Sequence, residues 1–367
     1  MLRLPFGATM SEHSKLPPSS AARRVACPGS RKLETLYPRE QTESAKEGEL
    51  AHAVCAHLLD GTNPVEGISD AMLRNCLIYS DYVIITYAHA IKPESKKEYC
   101  LYIEKRLDMP SIHAECWGTP DAWFVVDGVL HMFDFKYGFG PVEVYENWQM
   151  IEYAAGVPDE FTKAVFHIVQ PRASHIDGPI RTWEVDITDL VGYWEILISI
   201  ERRAMRDQAP VSPSPQCVNC QARHACPTLQ KTVLNNINSV GFATPHDLDE
   251  AGLGNELRIL HNAAKLLDAR ITGLEQEALS LLKSGKRVPH YELGEVQSRE
   301  KWTCDPTNLG KLFDIELRKP VEVEFITPKQ AIKAGIPAKV VRKYSETPTG
   351  AKKLQPIDEK KIRKMFS

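Results

Sequence analysis

Residues 118–156 decide the fold: GTPDAWFVVDGVLHMFDFKYG runs from Gly118 to Gly138, and YENWQMIEYAAG from Tyr145 to Gly156. The pair Asp127-Gly128 lies between two runs rich in aromatic and β-branched residues, the strongest short-range signal for a tight hairpin. In the second strand a period of two sets Leu130, Met132, Asp134 and Lys136 on one face and Phe133, Phe135 and Tyr137 on the other. Closing the hairpin brings Asp121, which follows Pro120, level with Asp134. Two carboxylates and an ammonium then share one small site. Ionised carboxylates that close repel one another, so the cluster calls for a divalent cation, and oxygen ligands suit Mg or Mn. A strand Asp-x-Lys alone can equally be a structural ion pair.

Composition bounds the rest. At 367 residues the chain suggests about two domains, and 43% hydrophobic residues can bury a sizeable core. A formal charge of -3 excludes a uniformly basic nucleic-acid binder, so any such contact must come from local patches. No apolar run reaches the length of a membrane span, and the start MLRLPFGATM lacks an apolar core followed by a cleavage site. The expectation is a soluble, cytoplasmic protein. Nine cysteines, an odd number in a long chain, argue for reduced thiols or metal ligands over a disulfide framework.

Before the hairpin, residues 1–20 are rich in Ser and Pro and expected to be poorly ordered, and a short helix is interrupted at Cys27-Pro28-Gly29-Ser30. Apolar spacing predicts a helix from Ser44, its N-cap, with Leu50, Val54 and Leu58 in one stripe, and a second from Asp70 to about Ala90. EYCLYIEKRL reads as a strand carrying Glu104. After the hairpin a helix over about Glu146 to Ala155 sets Gln149 and Tyr153, four apart, on one face. KAVFHIVQPR reads as a strand ending near Arg172, GPIRTWEVDI as an edge strand, and the next helix is capped at Thr188. Alternating strands and helices from Ser44 to Gln208 fit one mixed α/β core.

A Pro-rich break leads to Cys217, Cys220 and Cys226, spaced C-x2-C-x5-C. Three thiols so close point to a bound metal and leave a fourth ligand to come from elsewhere. His224 is one candidate. Cys55, Cys76, Cys100, Cys116 and Cys304 have no such spacing and read as core residues. From Gly254 to about Ser284, apolar residues at alternating spacings of three and four form a seam suited to a second long helix, in the same chain or another subunit. A strand-like stretch follows, then a helix start at Thr327-Pro328. From Lys329 on there are eleven Lys or Arg against three Asp or Glu.

The order Pro120-Asp121, Asp134-Phe135-Lys136, then Gln149 and Tyr153, resembles the PD-(D/E)XK nuclease superfamily, in particular its RecB-like exonuclease branch. The resemblance implies a mixed central sheet flanked by helices over residues 21–230, with 231–367 as an extension. It implies Mg or Mn held by Asp121, Asp134, the Phe135 carbonyl and His52, which follows Glu47-Gly48 as in the first motif of that branch. Lys136 would act on the attacking water, and Gln149 and Tyr153 would hold DNA, with Arg172 near phosphate. Related nucleases often carry an acidic residue where Glu104 stands. Some carry one Cys before the core and three after it, together binding a four-iron four-sulfur cluster, and Cys27 stands where the first should be. Zinc is the alternative at that site. The layout also resembles an uncharacterised phage family of RecB-like exonucleases, which implies DNA recombination alongside a single-strand annealing or binding protein in a host cytoplasm. An endonuclease on the same fold, or a non-catalytic DNA-binding scaffold, are the other readings.

Overall fold

A computed structural model describes residues 14–37, 42–61, 65, 67–92, 97–240, 249–297, 301–303, 327–346 and 349–356. Short helices α1 (Ala21–Ala26) and α2 (Ser30–Thr35) flank the Cys27-Pro28-Gly29 break, and α3 (Glu43–Asp60) and α4 (Asp70–Ala90) follow. Next come β1 (Tyr102–Ile103), β2 (Leu107–Asp108), β3 (Trp117–Gly118), β4 (Ala122–Val126), β5 (Val129–Phe135), α5 (Trp148–Ala154), β6 (Lys163–Val169), β7 (Ile180–Asp186) and α6 (Ile187–Ala204).

The hairpin forms where the sequence places it. Asp127 and Gly128 both adopt positive φ, 49° and 77°, as a type I′ turn requires, and β4 pairs antiparallel with β5 with Ala122 opposite Phe133. The five-stranded sheet has the order β1-β4-β5-β6-β7. Only β5–β6 is parallel, with α5 in its crossover. The fold is thus mixed α/β. The period-two reading of β5 appears as two cores: Leu130 and Met132 pack with Ile151, Phe166 and Leu197. Phe133 and Phe135 pack with Val54, Tyr79 and Val83 of α3 and α4.

Several local expectations shift. Ser14–Ser20, expected to be poorly ordered, lies against the core: Leu16 is fully buried, and the Ser14 hydroxyl donates to the Glu115 carbonyl. Residues 1–13 lie outside the described residues. Thr42, not Ser44, caps α3 by accepting from the Ala45 amide. The α6 helix begins at Ile187, ahead of the expected Thr188 cap. EYCLYIEKRL yields only β1 and part of β2 because Glu104 takes a φ of 46° and breaks the extension. Cys100 is exposed, not core, whereas Cys55, Cys76 and Cys116 are buried. Cys304 and residues 357–367 of the basic tail lie outside the described residues.

Further along the chain are α7 (Pro227–Val240), α8 (Glu250–Lys283), β8 (Tyr291–Gln297), β9 (Lys301–Trp302), α9 (Pro328–Lys333), α10 (Ala338–Val341), β10 (Ser345–Glu346) and β11 (Thr349–Pro356). The chain divides into two compact units, Met1–Ile271 and Thr272–Ser367. In the second, β8 pairs with β11 and β9 with β10, and Ala331, Ile336 and Val341 form a small core with Trp302 and Tyr344. Among the described residues no helix is long and apolar enough to cross a membrane.

One polar chain runs through the second core. The His131 and His167 rings are 3.1 Å apart, and the Tyr82 hydroxyl lies 2.9 Å from His167 Nδ1. Burial lowers His131 to about 4 and, with the His131 ring beside it, His167 to about 3. Because the unfolded chain binds these protons near pH 6.5, the stabilisation is whole above that value and is lost as pH falls towards 4. Each histidine contributes a slope of at most about 1.4 kcal/mol per pH unit. Urea midpoints measured from pH 7.5 to 4.5 should therefore fall more steeply for the wild type than for His167→Gln. Equal slopes would contradict this account.

Candidate functional site

The hairpin end, α3 and α5 converge where β4 and β5 leave the sheet. Asp121, one residue before β4, is held three ways: its Oδ1 lies 3.0 Å from His52 Nδ1 on α3, its Oδ2 accepts from the Phe135 amide at 2.6 Å, and its carbonyl accepts from the Glu104 amide. One ligand-capable atom from each of His52, Glu104 and Asp121 lies within 4.8 Å of the others. On the other face of β5, Lys136 Nζ donates to Asp134 Oδ1 at 3.0 Å and to Gln149 Oε1 at 3.3 Å, and Gln149 Nε2 donates to Asp134 Oδ1 at 3.2 Å. Asn147 caps α5 by accepting from the Gln149 and Met150 amides, and so fixes where Gln149 points.

The electrostatics follow from burial and crowding. Asp134 is buried, and loss of solvent raises its carboxyl above the ordinary range despite the opposing pull of Lys136. Burial works against the Lys136 ammonium, but Asp134 and Asp121 outweigh it and hold the group charged. Burial likewise opposes charge on His52, and Asp121 overcomes it, pushing the imidazole up to about 9. Glu104 is exposed as a residue, yet partial burial of its carboxyl, then repulsion from Asp121, push it up to about 7. Asp134 Oδ2 is buried with no hydrogen-bond partner among the described residues, and so is the Tyr79 hydroxyl, whose surroundings include the Asp121, Glu104 and Asp134 carboxylates.

The structure thus brings Asp121, Asp134, Lys136, Gln149 and His52 together. Tyr153 sits beneath them: it is buried and its hydroxyl donates to the Thr119 carbonyl at 3.0 Å, bracing the turn before Asp121. A Cβ on Gly118 would come within 2.9 Å of both the Tyr153 ring and Pro18, so this crossing requires glycine. Arg172 is not free for phosphate here; it pairs with Glu47 at 3.2 Å and stacks over Tyr137 and Phe139. Cys27, Cys217, Cys220 and Cys226 line one cavity beside Arg23, Val211 and Leu229. Burial raises the Cys27 and Cys217 thiols, and Cys220 up to about 12. His224 does not line that cavity; its Nδ1 lies 3.2 Å from the Gln221 carbonyl.

One set of functional neighbours has no counterpart in the sequence reading. Arg24, three residues before Cys27, is buried and gives its Nε to both Glu201 oxygens, at 2.7 and 2.8 Å. Its NH2 reaches both Glu152 oxygens at 3.1 and 2.9 Å, and NH1 the Pro17 carbonyl and Ser20 hydroxyl. Burial, then repulsion from Glu201, push Glu152 up to about 7 against the pull of Arg24. Glu152 lies between Gln149 and Tyr153 on α5, so this ion network fixes the helix that carries both. The partners are 128 and 177 residues from Arg24, beyond any local signal.

A model for a family described as "Protein of unknown function (DUF2800)" matches residues 13–361. The chain belongs to the DUF2800 family. Among solved structures, this DUF2800 chain matches an alkaline exonuclease (LHK-Exo) from Laribacter hongkongensis at 16% identity and a TM-score of 0.25, over 52% of this chain and 90% of that one. LHK-Exo in complex with dAMP matches at 18% identity and a TM-score of 0.24, over 51% and 91%.

Removing the Arg24 guanidinium leaves two carboxylates buried and unpaired. Breaking a buried ion pair from one side typically costs about 3–5 kcal/mol. Arg24→Met should lower the unfolding free energy by that order in denaturant titrations at pH 8, with part recovered by adding Glu152→Gln. A change below about 1 kcal/mol would show that the network does not hold α5.

Proposed function

We propose that this chain is a divalent-metal-dependent DNA exonuclease of the PD-(D/E)XK type, RecB-like in its motifs, with its nuclease core over residues 21–230 and an accessory region over 231–367. The observation that carries the reading is Asp134 Oδ2, buried and without a hydrogen-bond partner among the described residues, beside the charges of Lys136, Asp121 and His52. A buried carboxylate oxygen left unpaired is costly, and a cation is the partner its neighbours could supply. Asp121, Asp134, His52 and the Phe135 carbonyl would hold Mg or Mn, with Glu104 added to the set. When bound, such an ion supplies charge to the scissile phosphate and acidity to a nearby water.

The remaining steps belong to side chains. Lys136, held by Asp134 and Gln149, would orient the attacking water and stabilise charge developing on the phosphate. Gln149 would hold Lys136 and the substrate backbone in line, and Tyr153 would act by bracing Thr119, not by touching DNA. Arg172 would meet phosphate only by leaving Glu47. A recombination role of phage type, with a single-strand annealing or binding protein as partner, is the pathway that fits the motifs.

Cys27, Cys217, Cys220 and Cys226 would hold a four-iron four-sulfur cluster. Four thiols lining one cavity fit that group. A single tetrahedral zinc is the alternative at the same thiols.

The test is digestion of linear duplex and single-stranded DNA, labelled at either end, with Mg or Mn, by anaerobically purified protein. The wild type should release end label, and Lys136→Ala should be slower by at least about 100-fold. Equal rates would overturn the role of Lys136. No cleavage of any substrate by intact protein would leave a DNA-binding scaffold as the reading, and internal cuts without end release would make it an endonuclease.

A further inference from the structure

The α8 helix carries Leu253, Leu260, Leu267, Leu274 and Leu281, five leucines at intervals of seven. Between them, at the alternate positions of the same seam, stand Leu257, Ala264, Ile271 and Ala278. A repeat of 3.5 residues sustained over four heptads is the pattern of a helix that supercoils with another; a helix lying on a globular core follows 3.6. Leu253, Leu257, Leu260, Leu267, Ile271 and Leu274 are all 36–53% exposed. So many large apolar side chains in one exposed line mark a contact surface. Against the described residues of its own chain, α8 uses another face. Leu266 packs beside Cys226, Leu229 and Val233, Ala269 is buried, and Arg270 donates to the Arg223 and His224 carbonyls. Leu266 and Ala269 lie on the opposite side of the helix wheel from the leucine line, and Arg270 lies at its flank.

We infer that α8 pairs with α8 of a second copy of this chain, as a parallel, in-register, two-stranded coiled coil. Leucine at every d position, with the one β-branched residue, Ile271, at an a position, suits two strands better than three or four. Charge favours the parallel arrangement. In register, the flanking positions set Glu256 against His261 and Arg270 against Glu275 of the other copy, and no like charges meet. The antiparallel arrangement with fullest overlap would instead set Glu256 against Glu277. The inference does not depend on the nuclease reading; it places two candidate sites on one particle.

Sedimentation velocity of the full chain over a range of micromolar concentrations tests it. The wild type should sediment as a particle of twice 41.3 kDa. Leu260→Glu/Leu267→Glu should sediment as a single chain that still unfolds cooperatively, since both leucines are exposed within one chain. Glu275→Arg, which would face Arg270 of the other copy, should weaken association severalfold; an antiparallel coil would not place these residues together. A wild type that stays a single chain, because another segment or a different protein covers the seam, overturns the inference. So does a trimer or tetramer, or a Leu260→Glu/Leu267→Glu protein that still pairs. Unchanged association of Glu275→Arg overturns the parallel arrangement.

Discussion

Burial of the Asp134 carboxylate is the constraint on which the site depends. The residue sits on the central strand of the sheet, removed from water, with one oxygen bound by Lys136 and Gln149 and the other without a partner among the described residues. A charge so placed is expensive unless opposite charge is delivered to it. Lys136 delivers part. The second carboxylate, Asp121, adds repulsion, and the surroundings answer with His52 and a backbone amide. With Glu104 the cluster holds three carboxylates against Lys136 and His52, an arrangement that a divalent ion would complement.

Around that cluster the structure invests heavily in fixing orientation. Tyr153 braces the loop before Asp121, Asn147 caps the helix that presents Gln149, and Arg24 clamps the same helix from behind through Glu152. Arg24 is three residues from Cys27, so the helix bearing Gln149 and the cysteine cavity share one short segment of chain. A group bound at the cysteines would restrain the start of that segment and, through it, the site. That coupling is a physical consequence of the packing and needs no large motion.

Much of this was legible in the sequence because it is local. The Asp127-Gly128 turn and the period of two were enough to set Asp121, Asp134 and Lys136 together, and helical spacing placed Gln149. What escaped is non-local or depends on a single dihedral. Glu104, which the family resemblance marks but strand periodicity does not, joins the metal-competent group because its backbone turns to positive φ and ends β1. The Tyr79 hydroxyl, without a hydrogen-bond partner among the described residues, stands near the carboxylates, and helical spacing does not mark it. The Arg24 network joins residues far apart along the chain. The partners of Tyr153 and Arg172, the Thr119 carbonyl and Glu47, are likewise distant along the chain and carry no local signal.

The central claim is that the carboxylate cluster is a cation site, and the most direct measurement is an anomalous difference map from crystals soaked in Mn. The account predicts a peak within coordination distance of Asp121 and Asp134, with His52 or Glu104 completing the site, absent in crystals of Asp134→Asn. A peak only elsewhere, or none in a wild-type crystal whose cluster keeps the arrangement described, would contradict it.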